Sequence, residues 1–309
     1  MLEQKETGQY LHEYYADWIE LYKQGAVKPV TYQKYLMTLR HLTELAPNVR
    51  VRELDKREYQ TLLNDYALTH ERQTTMDFHR HLKSAILDAV DEGIIALNPT
   101  RKVVIKGKVP AEKKAKFLSQ HELQSLLKYL SLDEKPNWDW LILLLAKTGF
   151  RFSEALALTP SDFNFSQQKI KIDKTWNYKC PTGGFEETKN LFSKRNIPID
   201  SKLSAQFAKL TEGLPLHEPI FVDGRVFNST INNRLQDLCE KAGVPIISLH
   251  SLRHTHASLL IYAGVSINSI AKRLGHSSVT TTQETYLHVI QELENQDTDK
   301  IVQHLSTLI

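Results

Sequence analysis

Cysteine is scarce in this chain. Cys180 and Cys239 are the only two and there is no CxxC spacing, which excludes a disulfide framework and a zinc knuckle and fits a reducing cytoplasm. Long hydrophobic runs are missing as well. The longest aliphatic stretch, Leu141 to Ala146, is far too short to span a bilayer. The start, Met1-Leu2-Glu3-Gln4, lacks the basic-then-apolar order of a signal peptide, and there is no internal repeat or low-complexity segment. Net charge is small: 39 Lys plus Arg against 36 Asp plus Glu leave +3, by itself weak evidence for a nucleic-acid partner. Length and apolar content are what the chain does have. Its 309 residues are about twice the common domain size, so two domains are expected. A hydrophobic fraction of 41% suffices for packed cores and excludes a largely disordered chain.

The small net charge conceals an uneven distribution. Residues 1–99 hold 12 basic and 15 acidic residues, and residues 117–309 hold 20 of each. Between them, residues 100–116 carry seven cations, Arg101, Lys102, Lys106, Lys108, Lys113, Lys114 and Lys116, against the single acid Glu112. With Pro99, Gly107, Pro110 and no helical periodicity, this segment reads as a basic interdomain linker. It is either a linker kept soluble by lysines or a strap along a polyanion, where each neutralised phosphate releases counterions.

Ahead of the linker, four apolar stripes of helical period are separated by turn signals. Tyr10 to Tyr22 end at Gly25, Tyr32 to Leu45 lie between Pro29 and Pro47, Leu54 to Tyr66 form a third, and Met76 to Val90 end at Gly93. The tyrosines fall on these stripes, which makes them core and groove lining rather than a stacking platform. Beyond the linker, Ser119 and Glu122 fit a capping box opening a helix. A very apolar helix from Trp138 to Lys147 closes at Thr148-Gly149. Strand character at 169–176 and 193–199 gives a hairpin or a small three-stranded sheet, and helices resume from Ser201. The fold class is therefore mainly α, a helical N-terminal domain (1–99) and a mostly α C-terminal domain (117–309) with a small antiparallel sheet.

Four places could carry chemistry. Arg151 follows the Thr148-Gly149 turn, with Glu154 three residues on to orient its guanidinium toward an oxyanion. Lys189 and Lys194 lie on the expected hairpin. His250 and Arg253 are at i and i+3 and share a helix face, whereas a metal pairing of His250 with His254 lacks a carboxylate and an HExxH pattern. Leu274-Gly275-His276 leads to Tyr286, ten residues after His276. Each signal alone has a structural explanation at least as good.

Together and in order, TGFRFSEAL (148–156), ETKNLFSKRNIPI (187–199), SLHSLRHTHASLL (248–260) and LGHSSVTTTQETYLHV (274–289) resemble the tyrosine recombinase, or phage integrase, family, in its element-integrase form from phages and integrative conjugative elements. The resemblance implies an N-terminal helical, SAM-like core-binding domain and a C-terminal catalytic domain. It assigns Arg151, Lys189, His250, Arg253, His276 and Tyr286 as catalytic, with Lys194 as the alternative lysine and Glu154 in support. The implied reaction is attack of Tyr286 on a DNA phosphodiester to give a 3′-phosphotyrosyl bond. Arg151 and Arg253 would stabilise the charge, His250 lie in reach of the tyrosine proton, Lys189 protonate the leaving 5′-oxygen and His276 hydrogen-bond the phosphate. No metal or other cofactor is expected.

The implied partners are double-stranded attachment-site DNA gripped between the two domains, contacted by the linker cations, and a homotetramer on that DNA formed through the tail after Tyr286. The resemblance also allows an excisionase and a host DNA-bending protein. Action on bacterial DNA implies the cytoplasm. Many relatives with this LGHSS style carry a further arm-binding domain in front. Here the helical domain starts almost at once, so the protein is either naturally short or has lost a longer start. Chromosome-dimer resolution is the enzymatic alternative and an inactive DNA-binding regulator a more distant one.

Overall fold

The structure is a computed structural model that describes residues 8–109, 115–188 and 191–286. The chain divides into two compact units, Met1–Lys113 and Lys114–Ile309.

The first unit is built from α1 (Leu11–Tyr22), α2 (Pro29–Leu45), α3 (Lys56–Ala67) and α4 (Arg72–Asp91). Start signals explain the boundaries: Pro29 opens α2 with its fixed φ, and the Asp55 carboxylate accepts the Glu58 N–H at 2.8 Å to cap α3. The stripes pack Leu11, Tyr15, Ile19, Leu42, Tyr59, Leu63, Leu82 and Ile86 into one core. Polar tips of buried aromatics find partners there. Trp18 Nε1 donates to Asp88 at 2.6 Å, and the Tyr59 hydroxyl is 2.9 Å from His79 Nδ1.

The start of the basic segment is tied to this unit. The Gln60 amide forms a two-pronged clip on Val104, donating to its carbonyl and accepting its N–H, both at 2.9 Å. The Lys108 N–H donates to the His70 carbonyl at 2.8 Å. Val103 and Ile105 are half-buried against the core while Lys106 and Lys108 are exposed, a period of two. Arg101 and Lys102 are exposed too, and Lys113 and Lys114 lie outside the described residues. The stretch expected to be linker therefore has its first half laid on the helical unit like an edge strand.

The second unit contains α5 (Gln120–Leu127), α6 (Trp138–Thr148), α7 (Phe152–Leu156), β1 (Phe163–Asn164), β2 (Lys169–Ile172), β3 (Lys174–Trp176), β4 (Phe185–Glu187), β5 (Arg195–Pro198), α8 (Ser201–Leu210), α9 (Asn228–Ala242), α10 (Leu249–Tyr262), α11 (Ile267–Leu274) and α12 (Val279–Thr285). The Ser119–Glu122 capping box opens α5. Helix α6 runs through the core, with Leu141, Ile142 and Leu144 fully buried, each worth about 1.5–3 kcal/mol of transfer free energy.

The strand-like run 169–176 divides at Asp173. Its first half pairs antiparallel with β5 (Ile170 opposite Ile197) in a sheet ordered β1-β2-β5, and its second half pairs with β4 (Trp176 opposite Phe185) in a separate ribbon. Both of the expected forms, a hairpin and a three-stranded sheet, are thus present. No described helix is long and apolar enough to cross a membrane.

Candidate active site

The site grows from the end of α11. Gly275 terminates that helix in the left-handed region (φ +69°), which leaves the last carbonyls without intrahelical partners at the negative end of the helix dipole. Three successive carbonyls each take a different guanidinium. Arg273 O accepts from Arg195 Nε at 2.7 Å, Leu274 O from Arg253 Nη2 at 2.6 Å and Gly275 O from Arg151 Nη2 at 3.0 Å. A Cβ at position 275 would come within 2.9 Å of Arg195 Nη1, so both the backbone and the packing call for glycine.

Each arginine is held a second time. Arg253, 3% exposed, donates Nη1 to the Gly149 carbonyl at 2.7 Å, where α6 ends in a second left-handed cap. Arg151 and Arg195 converge on Glu154, itself 1% exposed. Glu154 Oε1 accepts from Arg151 Nη1 (2.7 Å) and Arg195 Nη1 (3.1 Å), while Oε2 accepts from Arg195 Nη2 (2.9 Å) and the Arg151 N–H (2.9 Å). Burial alone would raise the Glu154 pKa. The Arg195 hydrogen bonds and the charges of Arg195 and Arg151 outweigh it and hold the carboxyl below the usual range.

One carboxylate against three arginines leaves a surplus of positive charge. Burial first, then Arg151, presses the Arg253 pKa down to about 9, so it stays cationic at neutral pH. Each Arg253 terminal nitrogen thus spends one N–H on a backbone carbonyl.

The histidines surround this charge. His276 Nδ1 is 2.8 Å from the hydroxyl of the fully buried Thr282, which leaves Nε2 as the nitrogen that can serve a ligand. Desolvation, then Arg253, Arg151 and Arg195, lower its pKa to about 4, so it is neutral. His250 is exposed near the first turn of α10. Partial enclosure of its ring, then the charges of Arg253 and Arg151, lowers its pKa also. His256 is a tether: Nδ1–H donates to the Ala146 carbonyl (3.1 Å) and Nε2 accepts from Arg273 Nε (2.9 Å), which fixes its tautomer.

Tyr286 follows α12 and is buried, 2% exposed, against Ala257, Ile261, Ile270 and Leu274. Burial raises its pKa to about 12, with Arg253 opposing. Its hydroxyl lies 3.1 Å from His254 Nδ1. A pocket of about 440 Å³ opens here, lined by Lys116, Phe117, Ser248, His250, His254 and Tyr286 among others.

Five of the residues expected from the sequence, Arg151, His250, Arg253, His276 and Tyr286, thus lie at one locus with Glu154 beneath them. Lys189 lies outside the described residues, as does the tail after Tyr286, while Lys194 is exposed. The expectation placed His250 at the tyrosine proton, whereas the hydrogen bond at that hydroxyl is made by His254. Sequence reasoning also missed Arg195, visible only as the arginine following Lys194. Among the described residues, no group of three or more His, Cys, Asp or Glu side chains is placed to hold a metal ion.

Arginines fixed on backbone carbonyls and on a buried carboxylate, with imidazoles and a tyrosine hydroxyl close by, are the equipment of one class of protein, enzymes that stabilise charge during phosphoryl transfer. The profile of the phage integrase family matches residues 116–292, more than half of the chain, and the chain belongs to that family. It is 26% identical to the integrase of Staphylococcus phage L54a, over 94% of this chain and 92% of that protein. It is 27% identical to the ICEBs1 integrase of Bacillus subtilis, over 76% and 70% respectively. Its fold is similar to that of the Tn1549 transposon integrase in complex with transposon right end DNA (TM-score 0.78, 19% identity, 95% of this chain and 100% of that chain). A lambda integrase tetramer bound to a Holliday junction is also similar in fold (TM-score 0.67, 18% identity, 88% and 79%).

Proposed function

We infer that the protein is a site-specific DNA recombinase of the integrase type, which cleaves and rejoins DNA through a 3′-phosphotyrosyl bond to Tyr286 and so integrates and excises a mobile element. The observation that carries this reading is the row of three successive carbonyls at the end of α11, which holds Arg195, Arg253 and Arg151 next to His276 on the same stretch of chain, with Tyr286 packed against Leu274. Pentavalent phosphorus accumulates charge on its nonbridging oxygens. Each preorganised donor there is worth roughly 3–4 kcal/mol. A phenol with a pKa of about 12 costs about 7 kcal/mol to ionise at pH 7, so the proton must leave as the P–O bond forms. The covalent bond conserves the phosphodiester energy, and attack by a new 5′-hydroxyl rejoins the strand without ATP.

In this reading Lys189 donates the proton to the leaving 5′-oxygen, with Lys194 the alternative, and His276 hydrogen-bonds the phosphate. Residues 1–99 form the core-type DNA-binding domain, and Arg101, Lys102, Lys106, Lys108, Lys113, Lys114 and Lys116 contact the backbone, setting register while a few base contacts specify. The tail after Tyr286 couples protomers into a tetramer on DNA, an assembly seen in lambda integrase. An excisionase and a host bending protein set direction, and the reaction takes place in the cytoplasm. Relatives named as phage integrase, conjugative-element integrase and transposon transposase favour a mobile element over chromosome-dimer resolution. A duplex nicked beside the cleavage site tests the reading: wild type accumulates covalent adduct and Tyr286→Phe none. Adduct persisting in Tyr286→Phe would overturn it.

A further inference from the structure

We propose that His254, one helical turn after His250, is the group that takes the proton from Tyr286 during strand cleavage. The inference rests on Tyr286 as the nucleophile and adds the acceptor. Its Nδ1 lies 3.1 Å from the tyrosine hydroxyl, within the reach a general base requires, and the two rings meet at 60° with centroids 5.7 Å apart. Both residues line the same pocket, together with His250 and Lys116.

The two histidines divide the work according to their surroundings. His250 is under the charges of Arg253 and Arg151, which disfavour a second positive charge on its ring and suit it to face an anion. His254 is turned toward the phenol, with its ring at 87° to that of His250 and 4.9 Å away. Tyr286 is walled by aliphatic side chains on its buried side, and the hydroxyl's hydrogen-bond partner is this imidazole. The α10 backbone sets the distance, because i and i+4 side chains stack along one helix face.

The step balances as follows. The tyrosine oxygen forms a bond to phosphorus as its proton passes to His254 Nδ1, giving an imidazolium. The bond from phosphorus to the 5′-oxygen breaks with its electron pair, and that oxygen takes a proton from the hairpin lysine. On religation the imidazolium returns its proton to the departing tyrosine oxygen.

The test is single-turnover adduct formation by the full-length protein on a nicked duplex, with natural tyrosine or the more acidic 3,5-difluorotyrosine at position 286. His254→Asn can keep a hydrogen bond at the Nδ1 position but cannot take a proton. We expect it to slow adduct formation on the order of 10²-fold or more with natural tyrosine, and by at least tenfold less with the fluorinated one. Each comparison is made within one variant, so a less stable protein lowers both rates and leaves their ratio unchanged. Should His254→Asn melt below the assay temperature, His254→Gln carries the same comparison. A wild-type rate in His254→Asn, or the same deficit with both phenols, would overturn the inference and leave Tyr286 as nucleophile intact. Adduct in Tyr286→Phe would remove the reading beneath it instead.

Discussion

Replacing Glu154 by Gln removes one charge and almost no volume, at the point where two arginines are oriented. The carboxylate accepts four hydrogen bonds, two from Arg151 and two from Arg195. A glutamine keeps one accepting oxygen and turns an NH2 group toward donors, leaving buried cations without their counter-charge. Breaking a buried pair this way costs about 3–5 kcal/mol. For a unit the size of Lys114–Ile309, with 2–4 °C lost per kcal/mol, the melting temperature should fall by roughly 6–20 °C. Because the folded carboxyl titrates below its unfolded value, its stabilisation is complete above about pH 4.3 and is lost as pH falls through the folded pKa. The gap between wild type and variant, followed by circular dichroism melts, should be full at pH 7 and narrow only below about pH 4.3. Adduct formation should fall on the order of 10²-fold as the Arg151 fork loses its alignment. A melt within about 3 °C of wild type at pH 7, set against the magnitudes above, or an unchanged adduct rate, would refute the carboxylate's role.

Gly275→Ala forces a Cβ into the left-handed region, costing about 1 kcal/mol, and pushes on Arg195 Nη1 besides; a melt unchanged from wild type would contradict the packing. The neutral imidazoles of the buried His256 and the half-buried His276, with pKa lowered to about 3 and about 4, bind fewer protons folded than unfolded. Stability contributed by them is present above the unfolded value of about 6.5 and lost as pH falls toward 4, so denaturant midpoints should drop across that window, and less steeply in His256→Phe. Changing Lys106, Lys108, Lys113 and Lys114 to Gln should cut the slope of log affinity against log salt by up to about 3.6, read by fluorescence anisotropy; an unchanged slope refutes the strap. Lys189→Ala should regain cleavage on DNA with a 5′-bridging sulfur, a leaving group that needs no proton; rescue of Lys194→Ala instead would move the acid to Lys194.

The helices are legible because their signals are local. Pro29, Asp55 and Ser119 act within one turn of themselves, and the stripes that fill both cores recur every three or four residues. Strand pairing is not local. Residues 169–176 look like one strand, and only partners at β5 and β4 divide it, around an Asp173 whose carboxylate bonds Lys171 at 2.6 Å. The period of two in 103–108 is easily lost among lysines, since it shows itself only against the helical unit. Motif order points to Arg151, His250, Arg253, His276 and Tyr286. Arg195 and His254 stay hidden because their partners, Glu154 and Tyr286, are 41 and 32 residues away and carry no spacing rule.

The chemistry turns on which atom carries the DNA. Adduct trapped on a nicked duplex can be digested to peptides, the modified peptide located by mass spectrometry, and the freed strand end tested for direct labelling by polynucleotide kinase. The account predicts nucleotide on the peptide containing Tyr286 and a 5′ end that labels without phosphatase. Nucleotide on any other residue, or a 5′ end already phosphorylated, would contradict it.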